Sequence, residues 1–253
     1  MLTPREELAS HDAHVAPGPN YFIPDHIFVC RVRRHWILLD ILRNKYLCIP
    51  HAVFAAIASR IHGWDQWHSA NNNTDVLCED VIRTLESSLC RDGILSITPR
   101  TGRPLAPILP QPSDTMPAHA LQRERRRSFL AAIAFCVACS IADIRLRFSS
   151  FASIVRRATK RTCLPTSTAD TATRAYRLTR EFNALRLWYP RKYVCLFDSF
   201  ALLEFLALHH VSATWVFGVA ADPFEAHCWL ELNGCVLNDR LERVRRFTPI
   251  MRV

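Results

Sequence analysis

Apolar and polar positions along the first hundred residues follow two different rhythms. Residues 27–32, 36–42 and 45–49 are short runs rich in β-branched, aromatic and aliphatic side chains, parted by Arg33-Arg34-His35 and by Arg43-Asn44. This pattern predicts three strands in a meander with tight turns. Pro50 then suits the first turn of a helix over 51–61, which sets Val53, Phe54, Ile57 and Ala58 on one face. After the polar break Asn71-Asn72-Asn73-Thr74, with Thr74 or Asp75 as N-cap, a second helix is predicted over 76–91. Its apolar stripe is Val81, Leu85 and Leu89, and Asp92-Gly93 ends it.

The rhythm stops between residues 98 and 117, where Pro99, Pro104, Pro107, Pro110, Pro112 and Pro117 stand with Gly102 and no strand or helix period survives. Such a stretch predicts a semi-rigid, extended linker. Beyond it, residues 121–161 read as helical, with basic flanks at Arg123, Arg125, Arg126, Arg127 and at Arg156, Arg157, Lys160, Arg161 that suit a solvated face. The apolar run 129–142 inside it is shorter than the about 20 residues a bilayer span needs, so it reads as a buried helix, with no membrane span expected. A further helix covers 168–187, and Pro190 breaks the chain. From Cys195 the positions Leu196, Phe197, Phe200, Ala201, Leu203, Phe205 and Leu206 predict a helix apolar almost all round, hence central. Strands follow over 211–219 and 228–232, with Asn233-Gly234 as a hairpin turn. The predicted class is α+β: a small three-stranded sheet with helices in 1–97, a linker in 98–118, and helices packed on an antiparallel sheet in 119–253.

Composition narrows this picture. With 253 residues and 49% hydrophobic content the chain has ample material for a core and is not of the disordered class. Lys plus Arg number 32 against 23 Asp plus Glu, a net charge of +9, which suits an anionic partner without choosing among nucleic acid, membrane surface and acidic peptide. The first residues carry no apolar segment of signal-peptide type, which points to the cytoplasm, where most of the ten cysteines serve as small buried hydrophobes. Cys136-x-x-Cys139 lies in the apolar run with no second pair at zinc-finger spacing, so no metal site is expected. No Gly-rich phosphate loop marks a nucleotide site.

Candidate chemistry concentrates in the last quarter. Cys195 opens the apolar helix, and His227 and Asp239 follow in order on the strand elements. A thiol at a helix N-terminus meets unpaired N–H groups and the positive end of the helix dipole, both of which lower its pKa. A thiol, a base and an orienting carboxylate in this sequence are what a papain-type or transglutaminase-type acyl-transfer site needs. The Cys195 N–H is a natural oxyanion donor, and Tyr193 is a candidate for the second. Taken singly, Cys195 could be a core cysteine, His227 a satisfied half-buried histidine and Asp239 a partner of Arg240 or Arg243.

The hairpin sets a geometric condition. A two-residue turn at Asn233-Gly234 pairs Leu232 with Cys235 and His227 with Arg240, sending Asp239 to the opposite face and leaving Asn238 as the orienting residue. A three-residue loop, Leu232-Asn233-Gly234, sets His227 opposite Asp239.

The helix start Cys195-Leu196-x-x-Ser199-x-Ala201-Leu202, Gly218-Val219, Pro223-Phe224-x-Ala226-His227-x-Trp229-Leu230-Glu231 and Asn238-Asp239 together resemble the lasso-peptide maturation proteases, the B proteins of those gene clusters, over residues 184–247. The resemblance implies a transglutaminase-like thiol peptidase that removes the leader of a ribosomally made precursor peptide during lasso-peptide (RiPP, antibiotic) biosynthesis. Cys195 would be nucleophile, His227 base and then acid, and Asp239 the orienting residue. Cys228 departs from the pattern, standing where the family usually has a small residue such as Ala. The N-terminal unit is similar to the family's winged-helix-like recognition domain through Trp36-Ile37-Leu38-Leu39-Asp40 and Tyr46-Leu47-Cys48-Ile49. By analogy the leader would add as a strand to Lys45, Tyr46, Leu47, Cys48 and Ile49, its side chains entering a groove beside Val81 and Leu85. The same resemblance implies an asparagine-synthetase-like cyclase as partner and links ATP to leader removal.

Three other readings compete. One is an acyltransferase with the same triad and an amine acceptor, since both chemistries share the acyl-enzyme. Another is an inactive peptide-binding adaptor, which the presence of all three residues disfavours. The last is a basic nucleic-acid binder, which the placement of only Arg83 and Arg91 on the 76–91 helix disfavours.

Overall fold

The computed structural model describes residues 20–64, 78–99, 109–115, 129–162 and 169–253. Its class is α+β, with a three-stranded sheet and a second, five-stranded one. The first sheet is β1 (Ile27–Val32), β2 (His35–Asp40) and β3 (Lys45–Pro50), antiparallel and in that order, so β3 is an edge. β2 ends at Asp40 instead of Leu42 because Asp40 Oδ1 accepts the N–H groups of Leu42 (2.8 Å) and Arg43 (3.1 Å), and Oδ2 holds the Arg43 guanidinium (2.9 Å). The side chain satisfies donors that a longer strand would have used, and so makes the turn. Helix α1 (His51–Ala58) follows directly.

By contacts the chain divides into Met1–Pro24 with Ala55–Gly102, and Asp25–Phe54 with Arg103–Val253. The division falls inside α1 and not at residues 97 and 118. In the first unit, Tyr21 bridges Ile61 and Phe22 bridges Ser96. Helix α2 (Glu79–Arg91) buries Glu86, whose charge is met by Arg60 at 2.9 Å and the Tyr21 hydroxyl at 3.2 Å. Its expected N-cap, Thr74 or Asp75, lies outside the described residues.

In the second unit the inward side chains of the meander, Phe28, Cys30, Val32, Ile37 and Leu39, belong to one buried cluster with the C-terminal helices and sheet. An apolar sheet face must be buried against another element to be stable, and here the alternate residues Ile27, Val29, Trp36 and Leu38 are buried as well. The cover here is contributed by the distant C-terminal helices and sheet, which no local pattern announces.

Residues 109–115 of the proline-rich stretch belong to this unit and are docked on its sheet. β4 (Asp114–Thr115) is a parallel edge strand, and Gln111 Nε2 donates to the Phe247 carbonyl at 3.1 Å. The expected single helix over 121–161 is two, α3 (Phe129–Phe148) and α4 (Phe151–Thr162). Ser150 Oγ accepts the Ser153 N–H at 3.3 Å and restarts the helix as an N-cap. Residues 121–128, with Arg123, Arg125, Arg126 and Arg127, lie outside the described residues.

α3 is not the buried helix that its apolarity suggested. It turns Ala131, Phe135, Ala138, Cys139 and Ala142 inward, while Phe129 (80%), Ile144 (58%) and Phe148 (82%) are exposed. By length and composition it is long and apolar enough to cross a membrane. The basic cluster of α4 is also not simply a solvated face. Arg157 and Arg161 reach the fully buried Glu204 at 2.8 and 2.7 Å.

Helix α5 (Ala169–Arg186) leads to α6 (Cys195–Leu208), buried from Phe197 to Leu206 except for the half-buried Asp198. The second sheet adds β5 (Thr214–Ala220), β6 (Glu225–Leu232), β7 (Cys235–Val236) and β8 (Thr248–Arg252) in the order β4-β7-β6-β5-β8. The short helix α7 (Leu241–Val244) precedes β8.

Candidate active site

Cys195 is the first residue of α6, after Val194 in extended conformation. The helix start is tied by two reciprocal bonds: the Val194 N–H donates to Asp198 Oδ2 at 2.7 Å, and the Asp198 N–H to the Val194 carbonyl at 2.9 Å. The other carboxylate oxygen of Asp198 takes Arg186 Nε at 2.5 Å. Arg186, only 2% exposed, also donates to the carbonyls of Tyr189 (3.2 Å), Arg191 (3.0 Å) and Lys192 (3.2 Å). One buried cation therefore folds the whole segment between α5 and the thiol. Sequence reading did not single out Arg186, because an arginine ending a helix carries no mark of burial. Tyr193, the candidate oxyanion donor, is exposed, with its ring over the Arg186 guanidinium at 4.3 Å.

The hairpin takes the short form. Leu232 pairs with Cys235, and Asn233 (φ 52°) and Gly234 (φ 77°) make a left-handed two-residue turn. Yet His227 Nε2 and Asp239 Oδ2 are 2.5 Å apart. The expectation that a short turn removes Asp239 and leaves Asn238 as the orienting residue is thus corrected. Its error was to carry strand parity beyond the end of β7. After the Leu237 N–H to Leu230 carbonyl bond (2.9 Å) the chain leaves the sheet, and Asn238 puts its side-chain oxygen on the Leu230 N–H at 2.8 Å. Alternation no longer applies to a residue outside a ladder, and Asp239 swings to His227.

This departure also opens an edge. The N–H groups of Cys228 and Leu230 project from the same side of β6. Asn238 caps that of Leu230, and that of Cys228 meets the Cys195 sulfur. Cys195 therefore stands at the exposed edge of the strand, within reach of His227 on one face and Cys228 on the other.

The electrostatics follow. Hydrogen bonds from the Cys228 thiol and from His227, with the charge of the ring and the Cys228 N–H, outweigh burial and lower Cys195 to about 4. Burial opposes a charge on His227, but its bonds to Asp239 and Cys195 prevail and raise it to about 9. Burial likewise opposes the Asp239 charge, and the His227 bond and the Arg240 N–H (2.7 Å) still hold it below the ordinary carboxylate value. Between those limits the pair is a thiolate and an imidazolium.

Packing holds the ring in place. The imidazole lies 5.1 Å from the Phe247 ring and 6.0 Å from that of Trp229. Gly218, opposite His227 on β5, leaves room for the indole, since a Cβ there would come within 2.7 Å of it. Beneath the thiol, Ser199 Oγ donates to the Cys195 carbonyl at 2.6 Å, accepts Trp215 Nε1 at 2.9 Å and touches Cys228 Sγ at 3.3 Å.

Of the residues expected to bind a leader, Lys45, Tyr46, Leu47, Cys48 and Ile49 form β3 in this unit, while Val81 and Leu85 are on α2 in the other. Lys45, Leu47 and Cys48 are exposed and Ile49 is buried. Tyr46 turns toward the site: its ring is 5.4 Å from Phe224, and burial together with the neighbouring Cys228 and Cys195 sulfurs raises its hydroxyl pKa. Among the described residues no group of His, Cys, Asp or Glu is arranged to hold a metal ion.

Residues 138–252 match the model of the transglutaminase-like superfamily. This superfamily includes cysteine peptidases and transglutaminases. Comparisons with curated proteins and with solved structures found no match. Over those residues the chain is therefore similar to transglutaminase-like domains, a kind that typically carries cysteine-based enzymes.

Proposed function

We propose that the protein is a thiol peptidase that removes the leader of a ribosomally made precursor peptide, working through Cys195, His227 and Asp239. The observation that carries the acyl-transfer chemistry is the continuous series formed by the α6-terminal thiol, the imidazole and Asp239. The thiolate attacks the scissile carbonyl, and the Cys195 N–H at the helix terminus receives the developing oxyanion. His227 gives its proton to the departing amine. It then takes one from the water that opens the thioester, while Asp239 holds the ring through Nε2.

The choice of a leader as substrate rests on the motif resemblance and on β3, an exposed edge strand whose Tyr46 side chain approaches the thiol. An extended peptide added to that edge would run beside the site. The family resemblance adds the cyclase and ATP, so each is a variable of the test.

Wild-type protein and Cys195→Ala are incubated with a precursor encoded beside the gene, with and without ATP and the neighbouring cyclase, and the products are weighed by mass spectrometry. Release of the leader by wild type alone is expected. Equal release by both proteins would remove Cys195 from the mechanism. Adding a small primary amine separates the competing acyltransferase, which would return a leader whose C-terminal end is amidated and not hydrolysed.

A further inference from the structure

Cys228 is neither nucleophile, base nor orienting residue in the acyl transfer just described, yet its thiol is hydrogen-bonded to that of Cys195. Both are free thiols. They differ in every property that matters to oxidation. Cys195 is half-buried at a helix terminus and faces an imidazole, whereas Cys228 is buried, one residue beyond His227, with Ser199 Oγ 3.3 Å from its sulfur. An accessible thiolate beside a sheltered thiol is the arrangement in which the first sulfur takes an oxidant and the second resolves the product.

We propose that Cys195 and Cys228 form a reversible disulfide that switches the site off under a hydroperoxide and shields Cys195 from irreversible oxidation. In the first step the Cys195 thiolate attacks a peroxide oxygen: an S–O bond forms, the O–O bond breaks, and the departing hydroxide takes a proton to leave as water. In the second, Cys228 loses its proton and its sulfur attacks that of Cys195. The S–S bond forms, the S–O bond breaks, and a second water leaves. The two thiols have then given two electrons to the peroxide, and a dithiol reductant returns them by exchange. Burial keeps Cys228 a thiol while Cys195 is charged. Conversion of Cys195 to the neutral sulfenic acid removes the neighbouring charge that adds to burial in holding the Cys228 proton.

This inference goes beyond the peptidase reading. It rests on that reading only for the Cys195 thiolate, and its test needs no substrate. Wild type, Cys228→Ala and Cys228→Ser are treated with hydrogen peroxide and digested under non-reducing conditions. Wild type is expected to lose two hydrogens, to yield one linked peptide pair containing Cys195 and Cys228, and to return to its starting mass with dithiothreitol. Either folded variant is expected to gain two or three oxygens at Cys195 that dithiothreitol does not remove. Wild type gaining those oxygens without a linked pair would overturn the proposal, as would a variant that recovers as fully as wild type. Loss of peptidase activity in unoxidised protein bears on the previous section and leaves this readout intact.

Discussion

The two arms of the site are built by opposite means. The thiol arm is local: Arg186 and Asp198 are 12 positions apart, with Val194 and Cys195 between them, and short bonds tie the segment together. The imidazole arm is assembled by a strand that abandons its sheet, with Asn238 substituting a side chain for backbone so that Asp239 can reach His227. A local arm tolerates change elsewhere in the fold. An arm made by leaving a ladder depends on the sheet it leaves.

The difference between orienting and shaping can be broken first at Asp239. Asp239→Ala should lower kcat by about 10²–10⁴-fold, since the imidazole loses its orienting and charge-stabilising partner, with little change in thermal stability. A loss of folding in step with activity would show that Asp239 shapes the corner and does not act through the ring. Arg186→Met should do the reverse. It removes the cation that meets Asp198 and the side-chain donor of the Arg191 and Lys192 carbonyls, while the Tyr189 carbonyl keeps the Arg191 N–H, costing about 3–5 kcal/mol in urea unfolding as for other broken buried pairs. If stability is unchanged, the segment before Cys195 is held by something other than this cation.

Asn238→Ala sharpens the contrast on a smaller scale. It leaves the buried Leu230 N–H unbonded, a penalty of about 1–3 kcal/mol, and should reduce activity only through Asp239. The double variant with Asp239→Ala should then show no further drop in kcat. An additive loss would give Asn238 a role of its own.

The pH profile reads the coupling itself. The charged pair requires Cys195 deprotonated and His227 protonated, so kcat/KM should rise through about 4 and fall through about 9. Asp239→Ala should move the alkaline limb down toward the ordinary imidazole value, because one of the two bonds that raise His227 is gone. An unmoved limb would assign it to another group.

Element types were largely legible in the sequence, because strand alternation, the Asn233-Gly234 turn and the apolar run after Cys195 are local patterns read by local physics. The order of Cys195, His227 and Asp239 and the elements that carry the first two were legible as well, and the structure brings the three side chains together. What failed was extrapolation: the α3–α4 break depended on one serine cap, and the fate of Asp239 on where a two-residue strand ends. Local pattern was enough to place a thiol at the head of a buried helix with a histidine and an aspartate after it. Packing alone revealed that the meander shares the core of the C-terminal helices and sheet, that Arg186 is buried beneath the helix start, and that Cys228 sits against the thiol. Each of these is a contact between segments distant in sequence or on different elements, and side-chain alternation carries no information about which distant surface a face will meet.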